Sequence, residues 1–122
     1  MDRQTGLLLA AGSVAAGVHA GLAPEHLREW APLGASFVAA AVVAGSLATA
    51  VALRPDRIWP ARTLVLVLTG LVGAYVLTRI MALPPLDPDR ESLDTIGLVT
   101  VAAEFAGVAA GLRLVLSQGG NR

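Results

Sequence analysis

Three ionisable side chains stand inside otherwise apolar stretches of this 122-residue chain: His19, Arg79 and Glu104. Glu104 is the one charge between residues 95 and 112, and Arg79 directly follows an uncharged run from 63 to 78. An isolated charge in an apolar environment is costly, so such a group is paired, neutral or functional. We therefore expect these three residues to mark places where the chain does chemistry or holds its helices together.

Arg79 and Glu104 are predicted to form an intramembrane polar pair. Arg79 is four residues from the end of its apolar segment, or about 6 Å deep, and Glu104 is ten residues into the next segment, or about 15 Å deep. Arg79 is the basic side chain best placed to reach this carboxyl, directly or through water. The pair is interpreted either as structural glue between two helices or as part of a proton or ligand site.

The segment 24–30 is the densest polar stretch and is predicted to be a short interfacial helix. Pro24 suits a first helical turn. Leu27 and Trp30 are three residues apart and would share one apolar face. The other positions carry charged groups, as at the surface of a membrane.

A possible divalent metal site is the chemical interpretation of this stretch. His26 and Glu29 are neighbours at helical spacing, and Glu25 and His19 add a carboxylate and a second imidazole. Zinc, copper, iron and manganese accept such ligands. The alternative is an amphipathic turn with ordinary solvated charges. Haem is not favoured, because His19 is the sole histidine inside a predicted span.

Composition indicates an integral membrane protein. Apolar residues make up 55% of the chain and charged residues 15%, against about 25% charged in soluble domains. A bilayer core needs roughly 20 apolar residues of helix. We predict an all-α, four-helix membrane bundle forming one domain over residues 1–122. The predicted helices are 5–23, 32–53, 60–83 and 94–116, with Asp94 as the cap of the fourth.

Two alternatives concern the class of protein. A soluble bundle would need a polar stripe on each helix, and these segments carry none. A signal peptide could cover the first segment, but the residues before it hold only Arg3, which Asp2 offsets. The absence of cysteine excludes disulfides and thiolate chemistry. Zero formal net charge argues against a nucleic-acid partner.

Arginine placement predicts the orientation. With both termini and the 54–62 loop on one side, six arginines lie there and three lie on the other side. Positive residues favour the cytoplasm, so both termini are predicted to be cytoplasmic. Six of the nine acidic residues fall on the opposite, outer side.

The order of these motifs resembles an uncharacterised family of small bacterial four-helix membrane proteins. The resemblance covers nearly the whole chain, and it rests on His19, Pro24-Glu25-His26-x2-Glu29-Trp30-x3-Gly34-x2-Phe37, Arg54-Pro55, Thr78-Arg79-x3-Leu83-Pro84, Asp94 and Glu104. It implies a bacterial cytoplasmic membrane but no particular activity. The chain departs from the family where Thr78 to Ala82 replaces an SRTxG run, which puts a role for those hydroxyls or that glycine in doubt.

Two functions remain open at this point. A binding protein would hold a metal ion, a proton or a small polar ligand at an outward-facing site near the polar residues named above. An accessory subunit of a larger membrane complex, or a homo-oligomer, would use the same residues only for structure. An enzyme is less favoured, because the residues fix no reaction class.

Overall fold

The protein is a bundle of four α-helices that surround a common axis. The computed structural model describes residues 1–85 and 91–120, and its helices are α1 (Arg3–Glu29), α2 (Ala31–Leu53), α3 (Trp59–Ile80) and α4 (Thr95–Gly119). Each helix packs against its neighbours in sequence, and α4 closes the ring on α1. All four are long and apolar enough to cross a membrane. The predicted all-α four-helix membrane fold is confirmed. Asp87, Asp89 and Arg90, which were counted on the outer side, and Arg122 lie outside the described residues.

The first helix is longer than the sequence predicted. The segment 24–30 is no separate interfacial helix, because residues up to Glu29 continue α1 past Pro24. Proline removes one backbone hydrogen bond, which a helix packed inside a bundle tolerates. The helix ends at Trp30, whose backbone is extended and whose N–H donates to the carbonyl of His26. This single residue joins α1 to α2.

The turn between α1 and α2 is tight because Gly34 has no side chain. A Cβ atom at this position would collide with the backbone of Leu27 on the preceding helix. The two antiparallel helices therefore approach closely at this end of the bundle. Pro32 occupies the first turn of α2, where its missing N–H costs no helical hydrogen bond.

The other helix ends also depart from the predicted bounds. α3 ends at Ile80 rather than residue 83, and the carbonyl of Thr78 accepts the N–H of Glu91 at 2.8 Å. That bond satisfies a carbonyl that the end of a helix leaves free. α4 extends to Gly119 rather than residue 116.

At the start of α1, hydrogen bonds from Thr5 lower the pKa of the Asp2 carboxyl, which caps the helix.

A dense apolar core fills the half of the bundle that contains the chain termini. Leu8, Leu64 and Leu68 are fully buried there, surrounded by small side chains that include Ala11 and Ala48. Small residues let helix backbones approach closely, which holds transmembrane helices together. We call this half of the bundle the closed end; a second pocket, lined by residues that include Ser13 and Thr49, lies there between α1 and α2.

Two GxxxG pairs, which look alike in sequence, lie in different environments. A Cβ atom at Gly107 would collide with Ala11, and one at Gly111 would collide with Val65. By contrast, Gly17 and Gly21 have open space where a Cβ atom would be. The pair on α4 is thus part of the helix packing, and the pair on α1 is not.

The outer surface of the bundle is apolar along its length. Large hydrophobic side chains are exposed on all four helices, and they include Val42, Leu66, Val99, Phe105 and Leu116. A soluble bundle would place polar side chains at such positions. The surface is therefore suited to contact with lipid.

Candidate functional site

A cavity of about 250 Å³ lies in the half of the bundle opposite the closed core. The helices alternate in direction, so the last turns of α1 and α3 and the first turns of α2 and α4 meet at this end. All four helices contribute to the wall, through residues that include His19, Phe37, Tyr75 and Glu104. We call the end of the cavity that lies beside the α1–α2 turn and the described residues Leu83 and Glu91 its mouth.

Glu104 lies at the closed end of the cavity. Its side chain is 2% exposed, and its Oε1 atom has no hydrogen-bond partner. Thr100, one turn earlier on the same face of α4, is also buried and lines the cavity. Its hydroxyl donates to the carbonyl of Ile96 at 2.7 Å, so the hydroxyl oxygen can still accept a hydrogen bond.

Arg79 lies nearer the mouth and contacts Tyr75, Thr78 and Asp94. Its Cζ atom is 3.9 Å from the centre of the Tyr75 ring, and its Nη1 atom donates to the hydroxyl of Thr78 at 2.9 Å. Its Nη2 atom is 4.0 Å from Oδ2 of Asp94. The other carboxylate oxygen of Asp94 accepts the backbone N–H of Gly97, which makes Asp94 the N-cap of α4. Asp94 therefore links the start of α4 to the end of α3.

In the structure, Arg79 has a carboxylate neighbour other than its predicted partner Glu104, and a link to Glu104 through water stays a prediction. Within residues 1–85 and 91–120, the guanidinium forms its carboxylate contact with Asp94, and no ion pair joins it to Glu104. Asp94 starts α4 beside the last turn of α3, whereas Glu104 lies ten residues deeper, or about 15 Å along the helix. Asp94 is therefore the nearer of these two carboxylates to Arg79.

Two imidazoles and a phenyl ring form the α1–α2 side of the wall. The ring centre of Phe37 is 5.0 Å from that of His19 and 4.3 Å from that of His26. Nδ1 of His19 donates to the carbonyl of Ala15 at 2.7 Å, which leaves Nε2 as an acceptor in the neutral ring. Nδ1 of His26 is 3.4 Å from Oε2 of Glu29, but it is buried and forms no hydrogen bond.

The predicted metal ligands do not assemble into a metal site. Glu25 and Glu29 are exposed and are not part of the cavity wall, whereas His19 and His26 are. In the part of the chain that the structure describes, no three His, Asp or Glu side chains lie close enough to hold a metal ion together. A protein-bound zinc ion normally has three or four protein ligands, which is more than the described residues bring together in one place.

The polar groups that the described structure leaves unpartnered converge on this one cavity. Four buried side-chain atoms have no hydrogen-bond partner, and they belong to His26, Tyr75, Arg79 and Glu104. All four residues line the cavity. Buried polar atoms are nearly always hydrogen-bonded, so each exception requires an explanation. Their common location makes the cavity the candidate site.

One hydrogen bond crosses the mouth of the cavity. Nε1 of Trp30 donates to the carbonyl of Pro85 at 2.7 Å. It joins the α1–α2 turn to the α3–α4 connection, which are 55 residues apart in sequence. This hydrogen bond therefore links the two sides of the mouth.

Sequence reasoning singled out Glu104, Arg79, His19 and His26 but missed Tyr75 and Thr100. A signal for both was present. Tyr75 is four residues before Arg79, and Thr100 is four residues before Glu104, so each pair shares one helix face. The charged residue on each helix face therefore indicates the second residue four positions before it.

Comparison with protein-family models, curated proteins and solved structures finds no match for this chain. The family resemblance seen in the sequence therefore rests on its short motifs. The structure establishes the coarser statement, that the chain has four helices able to span a membrane.

Proposed function

We propose that the chain is a small membrane protein that binds a small polar ligand in the cavity between its four helices. The observation that carries this proposal is the convergence of four unpartnered buried polar atoms on one cavity. A ligand with hydrogen-bonding groups would satisfy atoms that the protein itself does not. Such a site, mostly apolar with a few converging polar groups, is typical of small-molecule binding.

Binding is favoured over passage through the membrane. The buried polar residues of the described chain are Thr78, Thr100 and Glu104, and all three line the cavity. Beyond Glu104, the bundle is filled by an apolar core around Leu64 and Leu68. Among the described residues, the buried side chains of this core are apolar, so they would not replace the water of a charged or polar molecule. The cavity is therefore proposed as a site with one entrance.

The entrance is proposed to face the outside of a bacterial cytoplasmic membrane. Among the described residues, five arginines lie at the closed end and two at the end with the mouth, which favours a cytoplasmic position for both termini. The bacterial origin follows from the resemblance of the sequence motifs. The site would then sample molecules from outside the cell.

The test is whether the protein retains a small molecule that depends on the cavity. Ala40 lines the cavity nine residues into α2, at a depth similar to that of Glu104 in α4. Ala40→Phe would fill this space, and Val42→Phe would place the same ring on the exposed face of the same helix. Each protein is purified into lipid nanodiscs, and extracted molecules are identified by mass spectrometry.

We expect about one molecule per chain in the unchanged protein and in Val42→Phe, and a strong loss in Ala40→Phe. Identical extracts from three equally stable proteins would contradict the proposal. A protein that is unstable alone and purifies only with a larger membrane protein would instead support the accessory-subunit function.

A further inference from the structure

The charges that line the cavity do not balance. Arg79 is compensated by Asp94 at 4.0 Å and by the face of the Tyr75 ring. Glu104 has no Arg or His nitrogen within 4.0 Å among the described residues, although its side chain is almost completely buried. A buried carboxylate without a partner is costly, and a cation beside it would remove that cost. The closed end of the cavity therefore has the chemistry to hold one positive charge.

The mouth of the cavity carries the same preference. Of the described residues at this end of the bundle, four are acidic and two are arginine, namely Glu25, Glu29, Glu91, Asp94, Arg28 and Arg79. Among those described, Glu29 and Asp94 are exposed, and Asp94 lies in the cavity wall itself. A cleft with one predominant sign of charge raises the local concentration of ions of opposite sign. Cations are thus favoured at the entrance as well as at the closed end.

The wall between these two points is apolar and aromatic. It includes Leu22, Leu33, Phe37, Leu71 and Tyr75. Glu104 lies ten positions after Asp94, which corresponds to about 15 Å of helix. Aromatic faces also attract organic cations. A hydrated metal ion would gain little from such a wall, whereas an organic molecule with an apolar body would bury its surface there.

On the basis of the proposed function, we infer that the ligand is a small organic monocation, an amine with an apolar body. Its ammonium group would donate hydrogen bonds to Glu104, and its body would lie along the wall towards the mouth. The cavity of about 250 Å³ is below the range of about 300–1,000 Å³ that suits drug-sized ligands. The amine is therefore a small one.

Three probes of nearly equal shape test the charge preference: phenylbutylammonium, phenylbutanol and phenylbutyrate. Each is titrated calorimetrically into nanodiscs that contain the protein, and the heat of lipid-only nanodiscs is subtracted. We expect the ammonium to bind roughly tenfold more tightly than the alcohol, and the carboxylate to bind most weakly. Glu104→Gln keeps the shape of the side chain without its charge, so it should abolish the difference between ammonium and alcohol.

Two further variants make every outcome decisive. Ala40→Phe should block all three probes, and Glu104→Asp should retain the preference for the ammonium if Glu104→Gln fails to fold. If the alcohol binds as tightly as the ammonium and Ala40→Phe still blocks both, the cation inference is overturned and the proposed site stands. If no probe shows binding that Ala40→Phe removes, both proposals are overturned.

Discussion

Glu104 occupies a buried position in the middle of α4, where a membrane-spanning helix usually has an apolar side chain. Its neighbours on the same face are Thr100 and Gly107, both buried. The carboxyl is thus held in a fixed place by the packing of α4 rather than by an ion pair. A group positioned in this way binds a partner well, because little of it needs to move when the partner arrives.

The same placement predicts a gain in stability when the carboxyl is removed. Glu104→Leu has a similar size and needs no hydrogen-bond partner, so we expect the free energy of unfolding to rise by about 1–3 kcal/mol. Thermal unfolding in nanodiscs without added ligand measures this. Phe105→Leu, on the exposed face of the same helix, is the control and should change little. A clear loss of stability in Glu104→Leu would show that the carboxyl holds helices together instead.

At the scale of helices, closeness of packing separates the two ends of the bundle. Glycine and alanine bring α4 against α1 and α3 at the closed end, whereas larger side chains, including Phe37 and Tyr75, surround the cavity. Trp30 of the α1–α2 turn contacts Pro85, which follows α3, at the mouth of the cavity. The apolar core therefore forms the closed end of the cavity.

Replacement of a packed glycine should destabilise the closed end of the bundle. At Gly111→Ala the added methyl group collides with Val65, and we expect a loss of about 1–3 kcal/mol in the free energy of unfolding. Gly21→Ala is the matched control, because open space surrounds that position. Thermal unfolding of both variants in the same nanodiscs makes the comparison. Equal losses would mean that the two GxxxG pairs have the same role after all.

The mouth should loosen when its side-chain hydrogen bond is lost. Trp30→Phe keeps an aromatic ring but removes the N–H that donates to Pro85. A typical hydrogen bond contributes about 1 kcal/mol, so we expect amide exchange at Glu91, whose N–H donates to Thr78, to accelerate about fivefold.

Hydrogen-exchange mass spectrometry of the segment that contains Glu91 measures this change. Trp59→Phe, at the start of α3 and at the other end of the bundle, is the control and should leave the segment unaffected. An unchanged exchange rate in Trp30→Phe would show that packing alone holds the mouth together.

At the scale of the whole molecule, the proposals depend on which side of the membrane the mouth faces. The two ends of the bundle differ both in packing and in charge, with arginine at the closed end and carboxylates at the mouth. The four helices are long and apolar enough to cross a bilayer, and in a bundle that does so the mouth opens on one side only.

The absence of cysteine makes this orientation directly measurable. Single substitutions Glu29→Cys, at the mouth, and Asp56→Cys, in the loop at the closed end, both lie at exposed positions. We expect a membrane-impermeant maleimide to label position 29 in intact cells and position 56 only after permeabilisation. The reverse pattern would place the mouth in the cytoplasm and overturn the outward-facing site.

Much of the fold could be predicted from the sequence. Uncharged runs of about 20 residues permit few structures other than membrane-spanning helices, and the four predicted helices are present. The bounds were less accurate, since Pro24 was expected to separate two helices. Proline costs a helix free energy only at the turn where it stands. The packing of Leu27 against Gly34 outweighs that cost.

Two polar residues of the cavity, Arg79 and Glu104, were also evident from the sequence, because a charge in an apolar run is costly wherever the helix packs. Their partners were not evident. Whether Arg79 meets Asp94 or Glu104 depends on how α3 and α4 are placed along and around each other, and hydropathy does not encode that register. The sequence by itself thus determined the membrane class and the costly residues. Only the tertiary structure decided which of them meet, because a cavity arises from the packing of all four helices together.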